Sequence, residues 1–167
     1  MSSSDTSRLK VRPAGTPDEA AWRELWVGYL SFYQQSLAPE VTDWLWGRLT
    51  DPGERSVIGR VAELDGKVVG LLHAVIHANT WSMRPVCYLE DLYVGANMRC
   101  RGVGAALIET LAGEGWRQGW RRIYWRTASD NVTAQSLYAR LAKRTGWVTY
   151  ELDLLDPEAP ARGGGPA

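Results

Sequence analysis

Arg99, Arg101, Gly102 and Gly104, in the run RCRGVG, are residues whose types and spacing could do chemistry. Glycines two positions apart let a backbone come close to a ligand. The run continues into AALIETL, where Gly104, Leu107, Ile108 and Leu111 fall at helical spacing. A helix that starts here points its unpaired N–H groups and the positive end of its dipole at the loop, and an anion fits there. Arg117, Arg121, Arg122 and Arg126 follow, and the only acidic residues between 99 and 126 are Glu109 and Glu114. In a chain with no net charge, that local excess suits a ligand carrying several phosphates. The plainer alternatives are a strand-to-helix turn that holds nothing and a solvated arginine face.

Other phosphate loops fit less well. A dinucleotide fingerprint needs a third small residue three past Gly104, where Leu107 stands, and an acidic residue about 20 further on, where Ile123 and Tyr124 stand. No G-K-[ST] follows, so the loop is not of the Walker A type. Kinase signatures are absent too.

The elements that must position this loop can be read from the rest of the chain. Its 167 residues, 45% hydrophobic and 23% charged, suit one globular domain with a real core. The Ser-rich residues 1–7 and the Pro/Gly/Ala residues 157–167 read as disordered, which leaves one domain over 8–156. No apolar run reaches about 18 residues and no apolar leader opens the chain, so a cytoplasmic protein is expected. Neutral charge argues against nucleic acid or an anionic membrane as partner. Cys87 and Cys100 are expected as free thiols. Nine tryptophans, with Trp22, Trp26, Trp44 and Trp46 close together, read as core anchors.

LKVRPA reads as a first strand. Thr16 as N-cap and Pro17 after it open a helix whose stripe is Trp22, Leu25, Trp26 and Tyr29. PEVTDWLWGRL is a second helix. RSVIGRVAEL and KVVGLLHAVI flank Asp65-Gly66 as a hairpin. RPVCYLEDLYV is a strand, 103–118 a helix, RRIYWRTA a strand, 131–144 a helix capped by Asn131, and WVTYELDLL a closing strand. The order predicts an α/β fold: a mixed, mostly antiparallel twisted sheet with helices on both faces and one parallel β-α-β unit over 86–127.

RCRGVG after the strand YLEDLYV, followed by WRTASDNVTAQSLYARLAKRTGW, resembles the GNAT superfamily of N-acetyltransferases. The likeness covers 56–155 closely. The LEDLYV strand looks most like the branch of polyamine, amino-acid and histone-tail acetyltransferases, whereas residues 14–55 match no subfamily. The resemblance implies that backbone around Arg99, Cys100, Arg101, Gly102, Val103, Gly104 and Ala105 holds the pyrophosphate of acetyl-CoA. It implies that Leu92, Tyr93 and Val94 pair their backbone with the pantetheine arm, as an added strand does. It implies a slot where the strands at 86–94 and 122–127 part, and often a homodimer.

Acetyl transfer needs a neutral amine, a donor for the developing oxyanion and a proton for the leaving thiolate. Strict alternation puts Tyr88, Glu90 and Leu92 on one strand face and Leu89, Asp91 and Tyr93 on the other. Glu90, which matches a glutamate of the polyamine branch, is the candidate base, with Asp91 the alternative if the register slips by one; a structural pairing with an arginine is the plainer reading. Tyr138 matches the tyrosine that meets the CoA sulfur in many members and is the candidate acid, with a core role as the alternative. Asn131 contacts the cofactor or only caps its helix. His73 and His77, about 13 Å apart on a strand, do not suit a metal ion, though either could line the acceptor pocket. Trp26, Tyr29, Tyr33 and Trp44 could surround a cationic amine. The acceptor expected is a small molecule, polyamine or amino acid; a protein lysine or N-terminus, or a CoA-binding module without turnover, are the alternatives.

Overall fold

A computed structural model describes residues 9–154. The stretches 1–7 and 157–167 lie outside the described residues. Strand β1 (Leu9–Pro13) leads through a single 3-10 turn (Thr16–Asp18) into helix α1 (Glu19–Phe32). Helix α2 (Pro39–Thr50) precedes strands β2 (Val57–Leu64), β3 (Lys67–Asn79) and β4 (Ser82–Val94). Helix α3 (Val103–Gln118), strand β5 (Ile123–Tyr124) and helix α4 (Val132–Leu141) complete the fold. The five strands lie in the order β1-β2-β3-β4-β5. The first four are antiparallel, and β4 and β5 are parallel.

The predicted mixed sheet and its β-α-β unit are therefore present. Asp65 and Gly66 make the β2–β3 turn with φ of 50° and 79°, the pair of positive angles a two-residue hairpin needs. Thr16 does not cap α1. It starts the 3-10 turn, whose N-cap is Gly15, and α1 begins three residues later. Arg12 anchors that helix start to the sheet. It holds both oxygens of the buried Asp18 at 2.7 and 2.8 Å and Glu63 of β2 at 2.8 Å.

The closing strand expected over WVTYELDLL is not formed among the described residues, which end at Leu154. Residues 142–154 carry no strand, and Trp147, Tyr150 and Leu154 are exposed. A strand needs a neighbour to take its backbone bonds. Strand β5 has only two residues and offers no ladder to extend, so the alternation of this segment finds no partner among the described residues.

Each face of the sheet carries its own core. Leu72, Ala74, Cys87 and Leu89 meet Val103, Leu107, Ile108 and Leu111 of α3 on one face. Leu71 meets Trp22, Trp26, Trp46 and Leu49 of α1 and α2 on the other. Helices do cover both faces.

Candidate active site

Strands β4 and β5 pair only at Cys87–Ile123 and Tyr88–Tyr124. Beyond Tyr88, β4 has a described strand neighbour only on its β3 side, so its other edge from Leu89 to Val94 is open. Leu92 and Val94 turn their side chains into the α3 core. Tyr93 turns to the other face, so close to α1 that a Cβ on Gly28 would lie 2.7 Å from its hydroxyl. With these side chains committed to packing, the edge offers backbone N–H and C=O groups, as strand addition requires.

The glycine loop follows directly. Gly95 N–H bonds to Val69 O at 2.9 Å, and one 3-10 turn (Ala96–Met98) leads to Arg99. Cys100 and Gly102 then have φ of 62° and 78°. Alternating left-handed residues curl the chain so that successive N–H groups converge, which is an anion-binding concavity. Gly102 has open space where a Cβ would sit, so its role is the backbone angle. Gly104 differs: a Cβ there would stand 3.1 Å from Leu137 Cδ2, so this glycine lets α4 pack against α3. The Val103 side chain is buried in the α3 core, leaving its N–H for the loop. Arg99 and Arg101 are exposed, and the Arg99 guanidinium lies 5.8 and 5.9 Å from the Phe32 and Tyr93 rings. Asn131 caps α4, its side-chain oxygen accepting from Ala134 N–H at 3.2 Å. Past the end of β5, Thr127 Oγ1 is buried without a hydrogen-bond partner. An open strand edge and a curled N–H-rich loop that follows it directly fit an extended arm ending in a pyrophosphate.

On β4 the pairing slips. His73 faces Asp91 and Ala74 faces Leu89, so Glu90 is an extra residue, a β-bulge. The bulge reverses the alternation. Cys87 and Leu89 point to α3 before it, and Leu92 and Val94 point the same way after it. The expected grouping of Glu90 with Tyr88 and Leu92 against Leu89 with Asp91 is therefore incorrect.

The two adjacent carboxylates sit in different surroundings. Glu90 is exposed, and none of the hydrogen bonds or ion pairs described for the chain engages its carboxylate. Partial enclosure, and then the neighbouring charge of Asp91, push its pKa up, against smaller pulls from His73 and Arg126. Asp91 is only 13% exposed and lies 2.9 Å from His73 Nδ1. The buried His73 ring in turn accepts the Trp22 indole N–H at Nε2, at 2.9 Å. The Tyr29 hydroxyl also meets Asp91. Burial first, and that carboxylate second, push the Tyr29 phenol well above its usual range.

Tyr138 is half-buried, with its ring 5.4 Å from that of Trp125. Burial first, and Tyr33 second, push its hydroxyl up to about 12. Tyr29 in α1 stands near the carboxylates, and Tyr33, the C-cap of that helix, is near enough to influence Tyr138. Trp26 stacks on Tyr29 at 5.2 Å, and Tyr29 meets Tyr33 edge-on at 5.0 Å. Trp44 does not join them; it is exposed on α2 under Arg48. Trp46 is the α2 tryptophan that packs in the cluster. His77 is exposed and bonds to the Tyr124 hydroxyl at 2.8 Å. Sequence reasoning missed His73 as a partner of Asp91, because that contact depends on the bulge. Among the described residues no group of three His, Cys, Asp or Glu side chains is arranged for a metal ion, and no helix is long and apolar enough to cross a membrane.

The family model for acetyltransferases of the GNAT type matches residues 19–142. The chain belongs to the acetyltransferase (GNAT) family. This acetyltransferase is 32% identical over 145 residues to the D-amino-acid N-acetyltransferase HPA3 of Saccharomyces cerevisiae, covering 86% of the chain and 90% of that protein. It is 35% identical over 144 residues to aminoglycoside N(6')-acetyltransferase type 1 of Klebsiella aerogenes, covering 83% and 89%. Among solved structures it shares its fold with AAC(6')-Iy, bound to the bisubstrate analogue CoA-S-monomethyl-acetylneamine. The TM-score is 0.71 at 23% identity, with 88% and 99% of the two chains covered. The acetyltransferase is an enzyme of the N-acetyl-transferring kind, and the acetyl donor of its family is acetyl-CoA.

Proposed function

We propose that this acetyltransferase moves the acetyl group of acetyl-CoA directly to the primary amine of a small molecule, a polyamine or an amino acid. The observation that carries this reading is the unpaired Glu90 carboxylate, raised in pKa, at the bulge where the open edge of β4 begins. The relatives named for D-amino acids and aminoglycosides, both small amines, support it.

When bound, acetyl-CoA supplies a thioester carbonyl for the amine to attack and a sulfur that leaves. The N–H groups of the loop from Arg99 to Ala105 and the first turn of α3 hold the pyrophosphate, and Asn131 caps the helix that closes that side. The backbone of Leu92, Tyr93 and Val94 aligns the arm. Glu90 takes a proton from the attacking amine, directly or through water, which is worth about 10²–10⁴-fold in rate. A backbone N–H on the open edge of β4 faces the oxygen that gains charge. Tyr138, whose hydroxyl stays protonated up to about pH 12, gives a proton to the departing sulfur. Trp26, Tyr29 and Tyr33 wall the acceptor side, where their ring faces favour a cation.

The test is a thiol-release assay with acetyl-CoA and a panel of polyamines, amino acids of both hands, aminoglycosides and lysine peptides. Turnover concentrated on the small amines supports the reading. Tight CoA binding with no turnover on any of them would sink it in favour of a binding module, and preference for peptides would move the acceptor to protein.

A further inference from the structure

We infer that Trp22 and His73 are positioning residues that aim the Asp91 carboxylate beside Glu90, so that a second carboxylate neighbours the proton acceptor. The inference rests on the reading of Glu90 as that acceptor. The geometry runs in one direction. An indole N–H can only donate, so the 2.9 Å contact from Trp22 Nε1 leaves His73 Nε2 without a proton. The ring proton then sits on Nδ1, 2.9 Å from Asp91 Oδ2, and donates to the carboxylate. A second ring proton would have to enter at Nε2, against the indole hydrogen. The neutral ring is thereby fixed in one tautomer, with its Nδ1–H aimed at Asp91.

Burial makes this arrangement matter. The side chains of His73 and Asp91 are 4% and 13% exposed, so water screens the pair little. The groups around them are Tyr29 and Tyr33 from α1, Trp22 and Trp26 stacked near the imidazole, Glu90 on the same strand, and Arg126 from the segment after β5. Tyr29 of α1 stands near Asp91. Arg126 is occupied by the Tyr88 hydroxyl and Glu151. A fixed negative charge beside Glu90 raises the hold of that residue on a proton, which brings the base closer to neutral pH, and attracts a cationic amine to the same spot. The bulge is what puts the charge there, since it turns Asp91 towards α1 while Glu90 stays exposed.

The chain has two histidines, His73 and His77, so nitrogen NMR of the labelled full chain can follow both. The expected result is a neutral His73 ring that carries its proton on Nδ1, the tautomer the two contacts select. A neutral His73 ring with its proton on Nε2 overturns the inference. In the same protein, carboxyl carbon NMR reads Glu90. Asp91→Asn keeps a carbonyl to accept from His73 but removes the charge, and should move the Glu90 titration to lower pH by on the order of half a unit. No movement overturns the inference. Trp22→Phe deletes the indole N–H and should let the Nε2-protonated tautomer appear; a tautomer ratio that does not move overturns the assigned lock. If Trp22→Phe does not fold, the wild-type tautomer and Asp91→Asn decide. These readouts need no turnover. An enzyme inert towards every amine would therefore refute the small-amine reading and leave this inference to be judged separately.

Discussion

The sheet has one face packed mainly by aliphatic residues and one packed mainly by aromatic ones. Under α3 lie Leu107, Ile108 and Leu111 against Leu72, Ala74 and Leu89, with Trp120 and the Arg60–Glu114 ion pair beside them. Under α1 lie Trp22 and Trp26, and their face also holds His73 and Asp91 in a chain of hydrogen bonds. The aliphatic part of the α3 face needs only volume, since methyl groups pack without directional demands. The aromatic face needs both volume and direction, because buried polar atoms must meet partners or cost stability. The difference teaches where function can be kept. The face that holds donors and acceptors in fixed orientation is the one that borders the proposed acceptor pocket. The other face serves as the platform from which the loop and α3 project.

That contrast can be broken by experiment. The largest effect is expected from Glu90→Gln, which should cost about 10²–10⁴-fold in kcat/KM while the thermal midpoint stays put, measured by steady-state assay and calorimetry. Because the Glu90 pKa is raised, wild-type activity should fall as pH drops through that raised value, and the variant should lose this acidic limb. A stability loss as large as the activity loss would make Glu90 structural. Next, Leu107→Ala on the aliphatic face should cost about 2–5 kcal/mol in denaturant unfolding and leave kcat of the folded protein within about twofold. A kcat collapse there would erase the distinction between the faces.

Asp18→Asn should cost about 2 kcal/mol, because it weakens the Arg12 pair that fixes α1. The bond to Arg12 holds the Asp18 carboxyl below its usual range. Its stabilisation is therefore present above about pH 4 and is lost as pH falls through the lowered value, so the variant should show a flatter stability curve in acid. Gly102→Ala should cost about 1 kcal/mol through its left-handed φ of 78° and should raise KM for acetyl-CoA more than KM for the amine. The smallest effect is expected from Trp44→Ala, within about 0.5 kcal/mol and with acceptor KM unchanged, since Trp44 stands outside the aromatic cluster. A raised acceptor KM would extend the aromatic face to α2.

The donor half of the site was legible in the sequence because its signals are local. A glycine at a left-handed position, a helix starting beside it and an Asn cap are all written within a few residues of where they act. The acceptor half was less legible, because it depends on how β3 pairs with β4, which brings together His73 and Asp91, eighteen residues apart. Strict alternation gave the wrong faces for Glu90 and Asp91. A hint was available: YLEDLYV has Leu89 and Leu92 three apart with two acids between them, a break in period that marks an extra residue. The expected last strand over WVTYELDLL failed for the opposite reason. Its alternation is sound, but the two-residue β5 beside it gives its backbone nothing to join. Gly104 was read as clearance for a ligand, and its neighbour turned out to be Leu137 on a helix not yet reached by the chain at that point.

The bulge in β4 also constrains how this enzyme can vary. A substitution at position 90 or 91 changes one letter and leaves the rest of the strand in phase. A deletion there would re-time every residue that follows: Leu92 and Val94 would turn towards the tryptophans, and Tyr93 would leave its seat against Gly28 for the aliphatic side. A changed letter in this pair touches the proposed chemistry at one point, whereas a changed length disturbs the packing of everything that follows it in the strand.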